Sequence, residues 1–178
     1  MKILLTGHTS NIGKEIAKHY QKHEIIGVSR ATGYDLTKQD DLLRIVDLAK
    51  DVDCFINLAN VGISQSILLY AVHKSWKAIN HTAKIISFGT LATAVPVSYL
   101  ADLSLDLNMV SNKLLLDKLH AELCLPVSNS QSTIIRFANY GSKSKERANE
   151  PVATSKQITN VLDYILFSDV SATTIDFY

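Results

Sequence analysis

The chain has 178 residues, of which 47% are hydrophobic and 20% charged, and its formal net charge is +1. These values are typical of one soluble globular domain, and the near-neutral charge argues against nucleic-acid and membrane-surface partners. No apolar run approaches the ~20 residues that span a bilayer. We expect a cytoplasmic protein in which Cys54 and Cys124 are reduced core thiols, because their spacing does not suit a metal site.

Apolar and amphipathic segments alternate from the start of the chain. The run "MKILLTG" predicts a buried parallel strand, and the apolar residues after it recur every four positions, which predicts a helix that starts near Asn11. "EIIGVSR" predicts the second strand. In "TKQD", Thr37 and Asp40 have the spacing of a capping box and predict the start of the second helix.

The same alternation continues to the end of the chain. Strands are predicted at "DCFINLAN", "KIISFG", "STIIRFA" and "TTIDF", and helices over residues 64–79, over residues 107–123 and around residues 158–166. Strands that alternate with helices form a parallel sheet with helices on both faces. The sequence therefore predicts a doubly wound α/β domain that comprises residues 1–178 as a single unit.

The first strand meets the first helix at "TGHTSNIG", residues 6–13. In a doubly wound fold a dinucleotide pyrophosphate binds here, on the free N–H groups of the helix N-terminus. One glycine lets the backbone turn towards the phosphates, and the last lets helix and strand pack closely. A plain strand-to-helix turn is the alternative. The candidate phosphate-binding residues are Gly7, Thr9, Ser10, Asn11, Ile12 and Gly13.

Three segments resemble motifs of the short-chain dehydrogenases/reductases, which have a Rossmann-like fold. "TGHTSNIG" is similar to their T-G-x-x-x-G-I-G loop, with Asn11 in place of the middle glycine. "DVDCFINLAN" is similar to D-x-L-V-N-N-A-G; Asn57 and Ala59 match it, whereas Leu58 and Asn60 depart from it. "YDLT" is similar to the D-[VL]-T element.

The resemblance implies an oxidoreductase that binds a nicotinamide dinucleotide and a small carbonyl or alcohol substrate. It places Asp35, with Leu36 beside it, against the adenine, and it places Asn57, Ala59 and Asn60 along the cofactor. The chain is shorter than most members of the family. No helix fits between Arg30 and Asp35. In lacking this helix, the chain resembles the sugar-nucleotide reductases of the extended branch.

The end of the second strand predicts which dinucleotide binds. NAD-binding folds place a carboxylate there to accept hydrogen bonds from the ribose hydroxyls. This chain has Ser29 and Arg30, and a guanidinium can bind a 2′-phosphate with two charge-assisted hydrogen bonds. NADP(H) is therefore favoured over NAD(H). The alternative is that Arg30 is a solvated surface charge.

Two segments compete for the Tyr-x-x-x-Lys pair that the resemblance implies. "YAVHK", Tyr70 to Lys74, has the right spacing but precedes the "KIISFG" strand, so we expect it on the flank of the sheet. The family position is "MVSNK", where Lys113 matches the lysine that holds the nicotinamide ribose. Thr90 matches the hydroxyl that steadies the substrate carbonyl.

Met109 stands where the family has its tyrosine, and a thioether has no proton to donate. Three interpretations follow. The chain is a reductase whose acid comes from elsewhere, with Tyr99 the best candidate because its segment follows Thr90. It is a cofactor-binding redox sensor or partner protein without chemistry. It is a structural domain with an empty loop, which Arg30, Asp35 and Lys113 at cofactor positions make less favourable.

The helix predicted over residues 107–123 carries three consecutive leucines, Leu114 to Leu116. Three adjacent side chains cannot all face one side of a helix, so another element or another chain must bury some of them. In the family this helix commonly packs in a two-fold interface. We therefore expect a homodimer or homotetramer; burial beneath the preceding loop is the alternative.

Overall fold

The computed structural model describes residues 1–94, 106–123, 131–137, 139–140, 152–168 and 172–177. Six parallel strands form one sheet, and two short strands pair separately. The described strands are β1 (Lys2–Thr6), β2 (Glu24–Val28), β3 (Cys54–Asn57), β4 (Lys84–Thr90), β5 (Gln131–Phe137), β6 (Asn139–Tyr140), β7 (Val152–Ala153) and β8 (Thr174–Phe177).

The sheet order is β2-β1-β3-β4-β5-β8, and every neighbouring pair is parallel. The chain builds outward from β1 in one direction to β2 and in the other to β3, so the order reverses between β1 and β3. This reversal defines the doubly wound fold. The predicted single α/β fold with a parallel sheet is confirmed.

Among the described strands, β2 forms one edge of the sheet, where many doubly wound sheets continue with a further strand. After β2 the chain makes a single 3-10 turn, Arg30–Thr32, and then enters the next helix without another strand. The structure therefore agrees with the prediction that no full helix fits between Arg30 and Asp35.

Helices cover both faces of the sheet. The described helices are α1 (Asn11–His19), α2 (Gln39–Ala49), α3 (Ser64–Ala78), α4 (Leu107–Leu123) and α5 (Ser155–Phe167). One apolar core lies between the sheet, α1 and α5, and the other lies between the sheet, α2, α3 and α4. Successive residues of β1 face opposite cores, as expected for a strand buried on both faces.

The predicted capping box at Thr37 and Asp40 is wrong. Helix α2 begins at Gln39, and Lys38 precedes it without a side-chain cap. The Thr37 hydroxyl instead donates to Asp35 at 2.7 Å. Asp35 is closer to Thr37 in sequence than the N–H groups of α2 are, and it binds the threonine in a local turn. Such local hydrogen bonds compete with helix capping, so a short polar side chain near a helix start does not always cap the helix.

No described helix is long and apolar enough to cross a membrane. Cys54 is fully buried in β3, and burial raises the pKa of its thiol far above the usual range. The thiol is therefore an inert part of the core. Cys124 lies outside the described residues.

The end of α5 is held by a lysine at the start of β4. The Lys84 Nζ donates to the carbonyls of Ile165 at 2.7 Å, Leu166 at 3.1 Å and Ser168 at 3.4 Å. These carbonyls belong to the last turn of α5 and its cap, where helical partners run out and the helix dipole favours a cation. One ammonium thus joins α5 to the sheet.

Replacing this ammonium should destabilise the fold. We expect Lys84→Met to lower the free energy of unfolding in urea by ~1–3 kcal/mol, because half-buried carbonyls lose a charged donor. Lys74→Met on the exposed side of α3 is the matched control and should change stability little. Equal stability of the two variants would contradict this assignment.

Candidate functional site

The candidate site lies at the carboxyl ends of β1, β2 and β3, beside the reversal of strand order. Ligands of open α/β sheets bind at this topological switch point, because the two loops that leave it diverge and open a crevice. Here the crevice is a cleft of about 620 Å³. It is lined by Gly7, Thr9, Ser10, Ser29, Arg30, Ala31, Asp35, Leu36, Thr37, Ala59, Asn60 and Val61.

Nine of the residues predicted to bind a cofactor line this cleft: Gly7, Thr9, Ser10, Ser29, Arg30, Asp35, Leu36, Ala59 and Asn60. Asn11, Ile12, Gly13, Asn57 and Lys113 do not appear among the lining residues. Ala31, Thr37 and Val61 also line the cleft and were missed. Each is adjacent in sequence to a predicted residue, so extending each predicted segment by one residue would have included it.

The loop between β1 and α1 is held tightly against the helix. Ser10 caps α1, and its Oγ accepts a hydrogen bond from the Gly13 N–H at 3.0 Å. Gly7 adopts the left-handed conformation with φ +71°, and its carbonyl accepts from the Ser10 N–H at 2.9 Å. A Cβ at Gly13 would lie 2.1 Å from the Gly7 oxygen, so only glycine fits there.

This geometry leaves donors at the start of the helix. Among the described residues the N–H groups of Asn11 and Ile12 make no hydrogen bond, since Ser10 caps only Gly13. Free N–H groups and the helix dipole favour an anion at this end of α1. The loop therefore has the donors that a pyrophosphate needs.

A second contact fixes the wall formed by the end of β3. The Thr6 hydroxyl accepts hydrogen bonds from the N–H groups of Leu58 at 3.0 Å and Ala59 at 3.1 Å. A Cβ at Gly7 would lie 3.2 Å from the Ala59 Cα. The two loops of the switch point are therefore in close backbone contact. Thr6 was not predicted as a site residue, although it begins the loop motif.

The end of β2 carries a buried hydroxyl. Ser29 is 7% exposed, and its Oγ has no hydrogen-bond partner among the described residues. Its N–H donates to the Thr32 hydroxyl at 3.0 Å, which stabilises the turn that follows. Arg30 is exposed on the same wall. A buried hydroxyl without a partner costs ~1–3 kcal/mol, and a ligand in the cleft that accepted a hydrogen bond from Ser29 would offset this cost.

Asp35 also faces the cleft, and its carboxylate is partly occupied. Its Oδ1 accepts from the Thr37 N–H at 3.0 Å and from the Thr37 hydroxyl at 2.7 Å. These hydrogen bonds, together with the charges of Lys38 and Arg30, hold the pKa of Asp35 below its usual range. The cleft therefore contains one guanidinium and one carboxylate near β2.

Lys113 and Asn57 lie in the interior rather than at the cleft surface. Lys113 is 5% exposed, and its Nζ donates to Gln65 Oε1 at 2.5 Å and to the Phe88 carbonyl at 2.8 Å. Burial lowers the pKa of Lys113 to about 8, while the nearby Asp117 acts to raise it. Asn57 is fully buried and its Nδ2 donates to the Gln65 carbonyl at 2.9 Å.

Thr90 ends β4, as predicted, and is half-buried. Its Oγ1 accepts a 3.3 Å hydrogen bond from the Ala92 N–H, and the hydroxyl hydrogen has no acceptor in the described ranges. The next turn is tied to α4, since the Thr93 hydroxyl donates to Asp117 at 2.5 Å. Asp117 is also paired with Arg136 of β5 at 3.3 Å.

The structure separates the two candidate tyrosine–lysine segments. Tyr70 lies on α3 with 48% of its surface exposed, and Lys74 is exposed beside it. Neither lines the cleft, which agrees with the expected position on the flank of the sheet. Met109 is half-buried in the first turn of α4, one turn before Lys113. Tyr99, the predicted substitute acid, lies outside the described residues.

Among the described residues, no group of three His, Cys, Asp or Glu side chains is placed to hold a metal ion. Both ring nitrogens of the buried His120 are occupied, by the Thr173 carbonyl at 2.8 Å and the Ser132 hydroxyl at 2.9 Å. Burial lowers the pKa of His120, so its role is structural.

No protein-family model matches this sequence. No curated protein matches it either. Solved structures do match. A 3-ketoacyl-(acyl-carrier-protein) reductase from Brucella melitensis in complex with NADH is 14% identical, with a TM-score of 0.76, over 98% of this chain and 96% of the other.

Two further solved structures are similar. An alcohol dehydrogenase from Thermococcus sibiricus in complex with 5-hydroxy-NADP is 15% identical, with a TM-score of 0.74, over 99% of this chain and 96% of the other. A short-chain dehydrogenase from Sphingobium yanoikuyae in complex with NADPH is 15% identical, with a TM-score of 0.73, over 98% and 87% of the two chains. The chain therefore has the fold of the short-chain dehydrogenases, and the predicted resemblance is confirmed for the fold.

Proposed function

We propose that the chain is an oxidoreductase of the short-chain dehydrogenase/reductase superfamily that binds NADP(H) and acts on a small carbonyl or alcohol substrate. One observation carries the proposal: β2 ends in Ser29, whose buried hydroxyl has no partner among the described residues, followed by Arg30 on the same wall of the cleft. A 2′-phosphate would accept from both groups, whereas a carboxylate at this position would repel it.

The phosphate loop supports the same assignment. The N–H groups of Asn11 and Ile12, which make no hydrogen bond among the described residues, suit a pyrophosphate. The three similar structures are complexes with NADPH, NADH or 5-hydroxy-NADP. These observations fit a nicotinamide dinucleotide in the cleft.

Asp35 could act against the preference for NADP(H), because it brings a negative charge to the same cleft. Its Oδ1 is already bound by Thr37, and the family resemblance places this residue at the adenine rather than at the ribose. We therefore assign Arg30, not Asp35, to the ribose 2′-position. The adenine amino group would then donate to the free carboxylate oxygen of Asp35.

The chemical step needs a hydride and a proton, and a bound nicotinamide supplies or accepts the hydride. The Thr90 hydroxyl can donate to the substrate oxygen, since its hydrogen is not used within the described residues. The family resemblance, rather than the lining of the cleft, assigns Lys113 to the nicotinamide ribose, since its ammonium lies in the interior beside Gln65 and Phe88. Met109 cannot supply the proton, so we assign the acid to Tyr99 or to water.

A second candidate function is an NADP(H)-binding redox sensor or partner protein without turnover. Met109 in the tyrosine position favours it, and so does the orientation of Lys113, whose ammonium bonds to Gln65 and Phe88 in the interior. The sensor and the reductase share the cofactor site and differ only in the proton donor.

Arg30 should decide the cofactor preference. We expect NADPH to bind at least tenfold more tightly than NADH by calorimetry, because a charged hydrogen bond contributes ~1.5–3 kcal/mol. Arg30→Ala should remove the preference by weakening NADPH alone. Arg44→Ala is the matched control, since Arg44 is exposed on α2 over the Tyr34 ring and does not line the cleft.

The Asp35→Asn variant tests whether Asp35 contacts the adenine or the ribose hydroxyls. If Asp35 contacts the adenine, the variant should weaken NADPH and NADH by the same factor. A loss confined to NADH would mean that Asp35 accepts from the ribose hydroxyls, and it would overturn the assignment of Arg30. Equal affinity of the wild type for the two dinucleotides would overturn it as well.

Turnover should depend on Tyr99. We expect the wild-type protein to oxidise NADPH with at least one member of a panel of aldehydes, ketones and sugar nucleotides. Tyr99→Phe should lower this rate ~10²–10⁴-fold, the usual contribution of a general acid. Tyr70→Phe is the matched control, because Tyr70 is exposed on α3 away from the cleft, and its rate should equal that of the wild type.

The sensor hypothesis gives the opposite result. It predicts tight NADPH binding with no turnover in the wild type, and Met109→Tyr would then restore a phenol one helical turn from Lys113 and could introduce activity. Wild-type turnover that Tyr99→Phe leaves unchanged would refute Tyr99 as the acid.

We also propose that a second copy of the chain covers the outer face of α3 and α4. These helices pack side by side, and six large apolar side chains on them or at the cap of α3 are at least 36% exposed: Ile63, Ile67, Tyr70, Leu107, Leu114 and Leu115. Leu116 is fully buried against the sheet, so the described part of the chain buries only one of the three consecutive leucines. A two-fold contact would bury the other two.

Light scattering tests this contact at micromolar concentration. We expect a homodimer or homotetramer in the wild type, and Leu114→Glu should shift it to monomers, because a carboxylate cannot be buried unpaired in an apolar contact. Leu43→Glu is the matched control, since Leu43 is 56% exposed on α2. A monomeric wild type would contradict the proposal.

A further inference from the structure

A buried polar contact joins α3, α4 and the sheet behind the cleft. Its side chains are Gln65, 1% exposed in the first turn of α3, and Lys113, 5% exposed on α4. Both polar groups meet at the Phe88 carbonyl near the end of β4. Gln65 has no counterpart among the motifs that resemble the dehydrogenases.

Each polar group of Gln65 is used. Its Oε1 accepts from the Lys113 Nζ at 2.5 Å, and its Nε2 donates to the Asn57 carbonyl at 2.8 Å and to the Phe88 carbonyl at 3.2 Å. The Gln65 backbone carbonyl accepts from the Asn57 Nδ2 at 2.9 Å. Backbone carbonyls of β3 and β4 therefore fix the orientation of the Gln65 amide, and its oxygen faces the Lys113 ammonium.

We propose that Gln65 is a positioning residue, whose side-chain oxygen holds the Lys113 ammonium beside the Phe88 carbonyl at the end of β4. The proposal rests on the proposed function in one respect: it identifies the group that places the ribose-binding lysine. Gln65 does not line the cleft, so it acts through Lys113 rather than on a ligand.

The Lys113 ammonium is buried away from water, so its charge depends on the neutral oxygens that accept its hydrogen bonds. Burial lowers the pKa of Lys113 to about 8, and Asp117, one turn further along α4, acts in the opposite direction. Asp117 is itself shared with Thr93 and with Arg136 of β5. The oxygens that contact the ammonium directly are those of Gln65 and Phe88, and hydrogen bonds to a charged group favour its charged form.

The direct test is the titration of Lys113 in the protein without cofactor, followed by NMR of its side-chain carbon signals and assigned with Lys113→Arg. We expect a midpoint near pH 8 in the wild type. Gln65→Glu keeps the shape but places a carboxylate against the ammonium, which should move the midpoint upward. Gln65→Met removes the acceptor at similar volume and should move it downward.

Gln21→Glu is the matched control, because Gln21 is exposed in the turn after α1 and should leave the Lys113 midpoint unchanged. The Gln65→Glu and Gln65→Met variants should shift the Lys113 midpoint in opposite directions, so either one alone can test the proposal if the other fails to fold. A Lys113 midpoint that stays at the wild-type value in a folded Gln65 variant would overturn the proposal.

Cofactor binding provides a second readout. Gln65→Met should weaken NADPH binding about tenfold, the scale of one hydrogen bond to a charged group. If the wild type binds no NADPH, the proposed function fails, whereas the titration still decides the role of Gln65. A shifted titration with unchanged NADPH affinity would show that Gln65 positions a lysine that does not contact the cofactor, and would overturn the ribose assignment.

Discussion

The candidate site depends on the absence of a side chain at one position. Helix α1 begins so close to the loop before it that a single carbon on Gly13 would lie 2.1 Å from the Gly7 oxygen. Because backbone meets backbone there, α1 begins directly beside the loop that lines the cleft, and its first N–H groups lie at this end of the site. The parallel hydrogen-bond ladder holds β1 beside β3, and Gly7 and Ala59 lie in close contact where the two strands end.

The two sides of the reversal in strand order differ in how they use polar groups. On the β2 side, Ser29 and Arg30 line the cleft, and within the described parts of the chain the Ser29 hydroxyl has no hydrogen-bond partner. On the β4 side, Lys113 and Gln65 satisfy each other in the interior. This contrast suits a protein that recognises a ligand strongly at its phosphates and places the reacting end with a rigid, pre-formed framework.

Sequence patterns predicted the alternation of strands and helices well, because buried parallel strands and amphipathic helices have different periods. Nine residues of the cleft were also among the predicted site residues, because the loop after β1 and the end of β2 can be located from the strand pattern and the family motifs locate Asp35, Leu36, Ala59 and Asn60. The sequence patterns failed at Thr37, where a local hydrogen bond to Asp35 replaced the cap. The Gln65–Lys113 contact was beyond reach, because its partners are 48 residues apart and belong to no common motif.

The truncated edge of the sheet has a consequence for dynamics. Within the part of the chain that the structure describes, β2 pairs only with β1, so its outer backbone groups lack a neighbouring strand. Edge segments open locally at lower free energy than central strands. Ser29 and Arg30, which we propose select the cofactor, therefore follow the least protected strand of the site. A ligand that contacts Ser29 and Arg30 would stabilise the closed form by mass action and slow amide hydrogen exchange along β2 more than along β3.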